Sequence, residues 1–280
     1  MDQAFALELI ELNNRFYARN AGSFSQTRQA PWPGWERALE VTEGFLGARS
    51  GSSDDPDDYP GGVSGPLKVF DLACGNLRFE RFLADRYRNA PEFYAVDSCS
   101  KLAAGKREDT EHPLAVHFQQ LDVLQLLMND HSAERLPLNM PLAGLSVCFG
   151  FMHHVPTHDL RTRVLQALLA QTRPGGIVVL SLWRFADDAR LAKKAKESTA
   201  ESQVHKPFSG YERDKLEPGD YLLGWQDSGT FRYCHSFNDD EVTQLIDSAV
   251  PTAREVARFR ADGRTGTLNS YIVLQKLGKA

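Results

Sequence analysis

The sequence predicts an α/β fold built on a mostly parallel sheet of seven strands, with an antiparallel last strand and helices on both faces. From Leu67 onward, short apolar runs alternate with helical patterns, which is typical of parallel strands joined by crossover helices. Five such runs are followed by two closing strand patterns. The chain has 280 residues, of which 42% are hydrophobic and 25% charged, so it can bury a sizeable core and is not disordered as a whole.

The first 50 residues lack a strand pattern and are predicted to form an N-terminal helical cap. Apolar side chains recur at helical spacing over residues 3–20, which indicates a helix packed on something larger. Residues 21–35 contain two prolines and are expected to be irregular, with a second helix over 35–46. The segment 51–66 is rich in Gly, Ser, Pro and Asp and is predicted to be a flexible acidic loop.

Residues 67–280 are predicted to form the main domain, with an insertion at about 184–230 that carries a charged helix. The predicted strands are 67–72, 92–97, 114–122, 142–151, 175–183, 253–261 and 269–276. The clearest helices are 77–88 and 157–172. Thr157 is the expected N-cap of the second of these, and the Pro and Gly residues at 174–176 are expected to end it.

Charge and cysteine usage narrow the function classes. The net charge of −5 disfavours generic DNA binding, although it leaves room for a local basic patch. No apolar run is long enough for a membrane span and no signal-peptide pattern begins the sequence, so we expect a soluble cytoplasmic protein without a membrane partner. The four cysteines are widely spaced without a C-x-x-C pair, which argues against a zinc site and a disulfide framework, and no metal is predicted.

The motif V-F-D-L-A-C-G-N at 69–76 carries the chemical information. A buried strand ends in Asp71, and the small residues that follow allow a ligand to approach the backbone closely. Asp97 ends the second strand 22 residues after Gly75, a spacing suited to hydrogen bonds with ribose hydroxyls. Asp122 ends the third strand at the same edge. The G-x-G-x-x-G dinucleotide fingerprint and the G-x-x-x-x-G-K-[ST] phosphate loop are both missing from the sequence.

These residues resemble the class I S-adenosylmethionine-dependent methyltransferases, which have a Rossmann-like sheet. The resemblance covers about residues 67–183 and includes the R-P-G-G before the fifth strand. It implies an enzyme with S-adenosyl-L-methionine as cofactor. Where the family most often has glycine this sequence has Ala73 and Leu77. Ala73 is small enough for its position if its φ is negative, and Leu77 can open the helix. The implied cofactor-binding residues are Asp71, Ala73, Gly75 and Asn76 at the methionine end, Asp97 and Ser98 at the ribose, Asp122 and Val123 at the adenine, and Phe149 and Gly150 on the fourth-strand wall.

A narrower resemblance connects four short segments to the tRNA wobble-uridine carboxymethyl methyltransferases. The segments are 23–33, 153–157, 181–183 and 231–237. These enzymes esterify the carboxylate of a carboxymethyluridine in the anticodon loop. The resemblance implies a tRNA partner, with Arg28 positioning the carboxylate. The implied substrate-binding residues are Trp32, Trp183 and His235.

His153 and His154 follow the fourth strand, where substrate meets cofactor in this fold, and are the candidate catalytic residues together with Arg28. A hydroxyl or amine acceptor needs a base such as a histidine, whereas a carboxylate is already ionised at neutral pH. Three hypotheses remain open: a tRNA-modifying methyltransferase, a small-molecule O- or N-methyltransferase, and a non-catalytic methyltransferase-like subunit. The arginines at 254, 258, 260 and 264 make the carboxyl end locally basic and would meet tRNA phosphates under the first hypothesis.

Overall fold

The computed structural model describes residues 1–46, 65–87, 90–107, 114–130, 135–225 and 229–278. Nearly all of the predicted acidic loop, residues 51–64, lies outside this part of the chain. No helix in the described ranges combines the length and apolar character that a membrane span needs.

Seven strands form one sheet in the order β3-β2-β1-β4-β5-β9-β8. The strands of this sheet are β1 (Lys68–Leu72), β2 (Glu92–Asp97), β3 (Val116–Gln120), β4 (Ala143–Cys148), β5 (Thr172–Trp183), β8 (Ala253–Ala261) and β9 (Asn269–Lys276). The first five strands pair in parallel, while β9 is antiparallel to both β5 and β8. The predicted seven-stranded sheet with its antiparallel last strand is therefore confirmed.

Eight α-helices accompany the sheet in the described residues. They are α1 (Gln3–Gln26), α2 (Pro33–Leu46), α3 (Arg78–Ala84), α4 (Ser100–Arg107), α5 (Val123–Asn129), α6 (His158–Gln171), α7 (Ala189–His205) and α8 (Asp239–Asp247). The strand side chains alternate between two apolar cores: Val69 packs with residues of α2 and α3, and Phe70 with residues of α5, α6 and α8. Helices therefore cover both faces, as the parallel pattern predicts.

Several boundaries differ from the sequence predictions. α1 continues to Gln26, because Phe24 packs edge-on against Tyr17 and extends the helix through the segment expected to be irregular. The helix predicted over 157–172 is α6, and the Thr157 side chain caps it as expected. The next strand, β5, begins directly at Thr172. The Arg-Pro-Gly-Gly segment thus lies inside β5 instead of forming a stop before it.

Residues 184–237 add a second sheet that the sequence analysis does not predict. It is a two-stranded antiparallel pair of β6 (Asp220–Gly224) and β7 (Phe231–His235), and β7 packs against α1. Side chains of α1 contribute to two apolar cores. Leu9 packs with residues of β6 and β7, Ile10 packs in the main core, and both are almost fully buried. The N-terminal helix is consequently part of the folded core as well as a cover.

Candidate active site

A cavity of about 530 Å³ opens at the carboxyl ends of β1, β2 and β4, beneath α1. Its volume lies in the range of about 300–1,000 Å³ that is typical of small-molecule sites. Ligands bind at this edge in open parallel sheets because the strand order reverses there. The sequence-predicted residues that line it are Asp71, Ala73, Gly75, Asn76, Asp97, Ser98, Asp122, Val123, Phe149, Gly150, His153, His154, Arg28, Trp32 and Trp183.

The Asp97 carboxylate is held in place by two backbone donors. Its Oδ2 accepts from the Gly75 N–H at 2.9 Å and its Oδ1 from the Cys99 N–H at 2.8 Å. Each oxygen keeps a lone pair for a ligand, because a carboxylate can accept about four hydrogen bonds. Burial raises the pKa of Asp97 to about 6, so the group is ionised at neutral pH. This arrangement fits the two hydroxyls of a ribose.

The glycine-rich loop adopts a left-handed conformation at three positions, only one of which is glycine. Gly75 has φ +57°, and Ala73 and Leu77 have φ +64° and +57°. The condition of a negative φ at Ala73 is therefore not met, because the loop keeps the turn that glycine would favour. Leu77 does open α3 as expected, without a side-chain capping bond, and is fully buried. A non-glycine residue in this region costs about 1–2 kcal/mol.

Asp71 faces the cavity from the end of β1, with Glu80 of α3 behind it. Asp71 is 3% exposed and Glu80 is 0% exposed. Neither the Asp71 Oδ1 nor either Glu80 oxygen has a hydrogen-bond partner among the described residues. Burial and the neighbouring Glu80 raise the pKa of Asp71 well above its ordinary value, and burial raises the pKa of Glu80 to about 7. This orphaned acidic end suits a cationic ligand group.

Asp122 has two structural partners at the adenine end. Its Oδ1 caps α5 through the Gln125 N–H at 3.0 Å, and its Oδ2 accepts from the Asn14 side chain at 2.6 Å. Asn14 also accepts from the Ser98 hydroxyl at 3.4 Å, so α1 bridges the ends of β2 and β3. The predicted contact of Asp122 with an adenine amino group stays a prediction.

Aromatic side chains form the wall at β4. Phe149 packs edge-on against Phe79 at 4.9 Å between ring centroids, and Trp32 lies over Gly150. A Cβ at Gly150, whose φ is +70°, would come within 3.0 Å of the Trp32 ring. Trp32 can therefore pack closely against the cavity wall because position 150 has no side chain.

His154 is fixed by two hydrogen bonds at the opposite end of the cavity. Its Nδ1 donates to the Tyr233 carbonyl at 2.9 Å, which leaves Nε2 to accept from the Tyr17 hydroxyl at 2.7 Å. Asn13 pins the same strand, since its Oδ1 accepts from the Tyr233 N–H at 2.8 Å. Burial, with Arg232 nearby, lowers the pKa of His154 to about 3. His154 is thus neutral, and its acceptor nitrogen is occupied.

His153 lines the cavity with a free ring nitrogen. Its Nδ1 is buried and has no partner within the described ranges, while its ring packs on Trp183 at 4.9 Å. Burial and the adjacent His154 lower the pKa of His153 well below its ordinary value. The imidazole can therefore exchange a hydrogen bond with a ligand but is a weak base.

Arg232 of β7 is a charged residue at this end that the sequence analysis does not single out. It is 6% exposed, and its buried Nε–H has no partner among the described residues. Its guanidinium hydrogen-bonds the Tyr17 hydroxyl, and no carboxylate is among the groups that shift its pKa. Burial opposes its charge, but Cys234 and Tyr17 outweigh this and the pKa of Arg232 is raised. Four aromatic rings surround the guanidinium at 5.3–6.0 Å, those of Phe16, Phe24, Trp183 and Trp225.

Arg28 adds a second cation to the same end. Its guanidinium lies 4.2 Å from the Phe24 ring centroid, and burial together with the charge of Arg232 lowers the pKa of Arg28. Two guanidinium groups at one end of the cavity, one of which lowers the pKa of the other, indicate a site prepared for an anion.

His153, His154 and Cys234 could in principle hold a metal, since their ligand atoms lie within 4.8 Å of one another. Both nitrogens of His154 are already hydrogen-bonded, and Arg232 places a fixed positive charge beside the cluster. These features oppose a divalent cation, and the His154 ring serves as a hydrogen-bonding group.

His235 does not lie at the cavity, so its predicted role in substrate binding is corrected. Its Nδ1 bonds Asp220 at 2.8 Å and its Nε2 bonds Glu241 at 2.9 Å, and the ring is 1% exposed. Side chains alternate along β7, so His235 lies on the opposite side of the strand from Arg232. Arg232 lies on the cavity side with His154, whereas His235 enters a buried polar network with Asp220 and Glu241. The matching segment 231–237 nevertheless contains the cavity residue Arg232.

Comparison with known proteins supports the fold. Neither a protein-family model nor a curated protein sequence matches this chain. An S-adenosylmethionine-dependent methyltransferase structure from Methanosarcina mazei is 16% identical, with a TM-score of 0.53, and the match covers 78% of this chain and 95% of that one. One from Clostridium acetobutylicum is 11% identical, with a TM-score of 0.53 and coverage of 95% and 99%.

A third solved structure is the N-methyltransferase NodS from Bradyrhizobium japonicum in complex with S-adenosyl-L-homocysteine. It is 12% identical, with a TM-score of 0.51, and the match covers 94% of this chain and 98% of that chain. The chain therefore has the fold of the class I S-adenosylmethionine-dependent methyltransferases, as predicted from the 69–76 motif and Asp97.

Proposed function

We propose that this protein is an S-adenosyl-L-methionine-dependent methyltransferase that transfers the methyl group to an oxygen of an anionic acceptor. The observation that carries the cofactor assignment is the Asp97 carboxylate, fixed by the Gly75 and Cys99 N–H groups at the edge of the cavity. In this proposal Asp97 accepts from the ribose hydroxyls, and Asp71 and the loop at Gly75 hold the methionine part. The bound cofactor would supply an electrophilic methyl group on a sulfonium.

The acceptor end suits an anion because its two guanidinium groups hydrogen-bond hydroxyls, of Tyr17 and Thr27, and form no ion pair with a described carboxylate. A buried arginine without a carboxylate partner is costly unless a ligand neutralises it. Arg232 meets this description among the residues that the structure describes. Arg28 lies close enough to Arg232 that the charge of Arg232, together with burial, lowers the pKa of Arg28. A carboxylate bound here would gain two charge-assisted hydrogen bonds, whereas a protonated amine would be repelled.

The histidines favour an acceptor that needs no base. The Nε2 of His154 is occupied by Tyr17, and burial holds the pKa of His153 well below its ordinary value. A carboxylate acceptor is ionised at neutral pH, so deprotonation is unnecessary. The protein then acts by holding the acceptor oxygen in line with the methyl group and by excluding water, effects that together supply much of the rate in such displacements.

The finer proposal is that the acceptor is the carboxymethyl group of a wobble uridine in tRNA. Aromatic rings beside Arg232 offer stacking surfaces for an unstacked base, a common mode of RNA recognition. Against tRNA stand the net charge of −5 and the engagement of arginines at the carboxyl end. Arg258 bonds Glu255 at 3.1 Å and Arg260 bonds Asp239 at 3.0 Å.

A small-molecule carboxylic acid is the second candidate acceptor, favoured by these same ion pairs and by the acidic net charge. The two candidates share the site and differ in what surrounds it. A tRNA substrate requires salt-sensitive retention, while a small acid does not.

Two measurements test the proposal in sequence. Calorimetric titration with S-adenosyl-L-methionine tests the cofactor, and the absence of binding would refute the enzyme assignment. Mass spectrometry of nucleosides from a strain that lacks the protein then tests the acceptor. Loss of the methyl ester of carboxymethyluridine supports tRNA, and an unchanged nucleoside profile leaves the small acid as the acceptor to be sought.

A further inference from the structure

Asp71 and Glu80 form a pair of buried carboxyl groups. The proposed function gives a role to Asp71 but none to Glu80. Asp71 lines the cavity, and Glu80 lies behind it in the first turn of α3 without lining the cavity. Three of their four carboxyl oxygens are buried and lack a hydrogen-bond partner in the described part of the chain. Leaving two such groups ionised away from water would cost several kcal/mol.

The surroundings do not neutralise two negative charges. Asp97 at the end of β2 adds negative charge, while the thiols of Cys74 and Cys148 are buried and have raised pKa values. The cation that acts on Glu80 is Arg81, on the same helix. Carboxyl groups that share a buried site titrate as a pair, and the first negative charge opposes the second.

We propose that Asp71 and Glu80 share one proton in the free protein and that binding of the cationic cofactor releases it to solvent. This inference rests on the proposed function, because the cation is the ammonium group of S-adenosyl-L-methionine. Positive charge arriving beside Asp71 stabilises the second carboxylate, so an O–H bond breaks and one proton leaves. Glu80, which does not line the cavity, thereby sets how cofactor affinity depends on pH.

The release can be counted by calorimetry of the full-length protein with S-adenosyl-L-methionine at pH 7.5. Binding heats are compared in two buffers of different ionisation enthalpy, at a pH where Asp97, with a pKa of about 6, is already ionised. The wild type should release a substantial part of one proton, and Glu80→Gln should release almost none. Glu8→Gln, which changes an exposed glutamate of α1, should behave as wild type.

Binding without proton release in the wild type would overturn this inference and leave the proposed function intact. Equal release in Glu80→Gln would also overturn it. Absence of cofactor binding would refute both. If Glu80→Gln does not fold, the wild type decides alone, because release must decline as rising pH removes the shared proton before binding.

A second readout needs no cofactor. Since the folded protein holds the pair's pKa above the unfolded value of about 4, the folded state binds the extra proton and its stabilising effect is lost as pH rises through the folded pKa. Urea midpoints of the ligand-free wild type should fall between pH 5.5 and 8, and Glu80→Gln should flatten this slope. A slope as steep in Glu80→Gln as in Glu8→Gln would contradict a shared proton.

Discussion

The two ends of the cavity carry opposite charge. The cofactor end presents Asp71 and Asp97, which lie at the carboxyl ends of β1 and β2. The acceptor end presents Arg28 and Arg232, which come from the segment after α1 and from β7. Strand ends of the parallel sheet supply the first end, and segments added to that sheet supply the second. Under the proposed function, the comparison teaches that the topology of the sheet sets the position of the cofactor, while the additions select the charge of the acceptor.

The largest expected effect comes from removing the buried positive charge at the acceptor end. Arg232→Met should lower kcat/KM for a carboxylate acceptor by about 100-fold or more, since loss of a buried charge partner costs about 2–5 kcal/mol. The cofactor Kd should stay near the wild-type value. Steady-state kinetics and calorimetry measure the two quantities separately. Arg260→Met, which removes an arginine paired with Asp239 outside the cavity, is the matched control.

The converse change at the cofactor end should spare the acceptor. Asp97→Ala removes the proposed ribose acceptor and should weaken cofactor binding by about 1.5–3 kcal/mol, the value of hydrogen bonds to charged groups. Calorimetric titration measures the change, with exposed Asp240→Ala as control. Unchanged affinity in Asp97→Ala would remove the distinction between the two ends.

The pH dependence of the cofactor end sharpens the comparison. Because the pKa of Asp97 is about 6, its ionised form is lost as pH falls below 6. In the Glu80→Gln background, cofactor affinity should therefore decline toward tenfold per pH unit below that value, and Asp97→Asn should abolish the decline. Titrations at pH 5, 6 and 7 provide the measurement. Persistence of the decline in the double variant would assign it to another group.

The sequence predicts the cofactor end much better than the acceptor end, for a physical reason. Asp71, Gly75 and Asp97 lie next to strand ends, so a buried apolar run and a spacing of 22 residues suffice to place them together. Arg232 lies in a β7 strand whose pairing with β6 is local to the added sheet, and a single arginine between aromatic residues carries no spacing signal. Its burial becomes evident only when α1 packs against β7.

Tyr17 and Asn13 show the same limit on α1. The apolar periodicity of α1 does not distinguish their positions from others on the helix. Tyr17 nevertheless hydrogen-bonds His154, and Asn13 hydrogen-bonds the neighbouring backbone of Tyr233. The sequence gives no signal at Glu80, because an acid in the first turn of a helix is common at the surface. Glu80 is completely buried in a helix that starts from a left-handed conformation at Leu77. A leucine in the sequence does not indicate that conformation.

A smaller effect is expected from the His154 contact. Tyr17→Phe removes the donor to Nε2 and leaves a buried acceptor unsatisfied, which should lower the free energy of unfolding by about 1–3 kcal/mol. Urea denaturation measures this, and Tyr94→Phe, which removes a hydroxyl bonded to Glu92, is the control. A neutral result would mean that water replaces the tyrosine hydroxyl.

The smallest expected effect is at the glycine-rich loop. Ala73→Gly should relieve left-handed strain of about 1–2 kcal/mol while adding about 0.5–1 kcal/mol of chain entropy in the unfolded state, for a net stabilisation near 0.5 kcal/mol. Ala192→Gly, inside α7, should instead destabilise by about 1 kcal/mol. Thermal unfolding of the two variants checks that their shifts have opposite sign.

The first helix has a kinetic consequence. α1 supplies Asn14 above Asp122 at one end of the cavity and Tyr17 beside His154 at the other. Because a continuous helix moves as a unit, displacing it to admit one ligand exposes the binding place of the other. Under the proposed function, departure of spent cofactor and departure of methylated product would then be coupled through one opening event. Such coupling gives sequential rather than independent exchange, and the rate of opening becomes a ceiling on turnover.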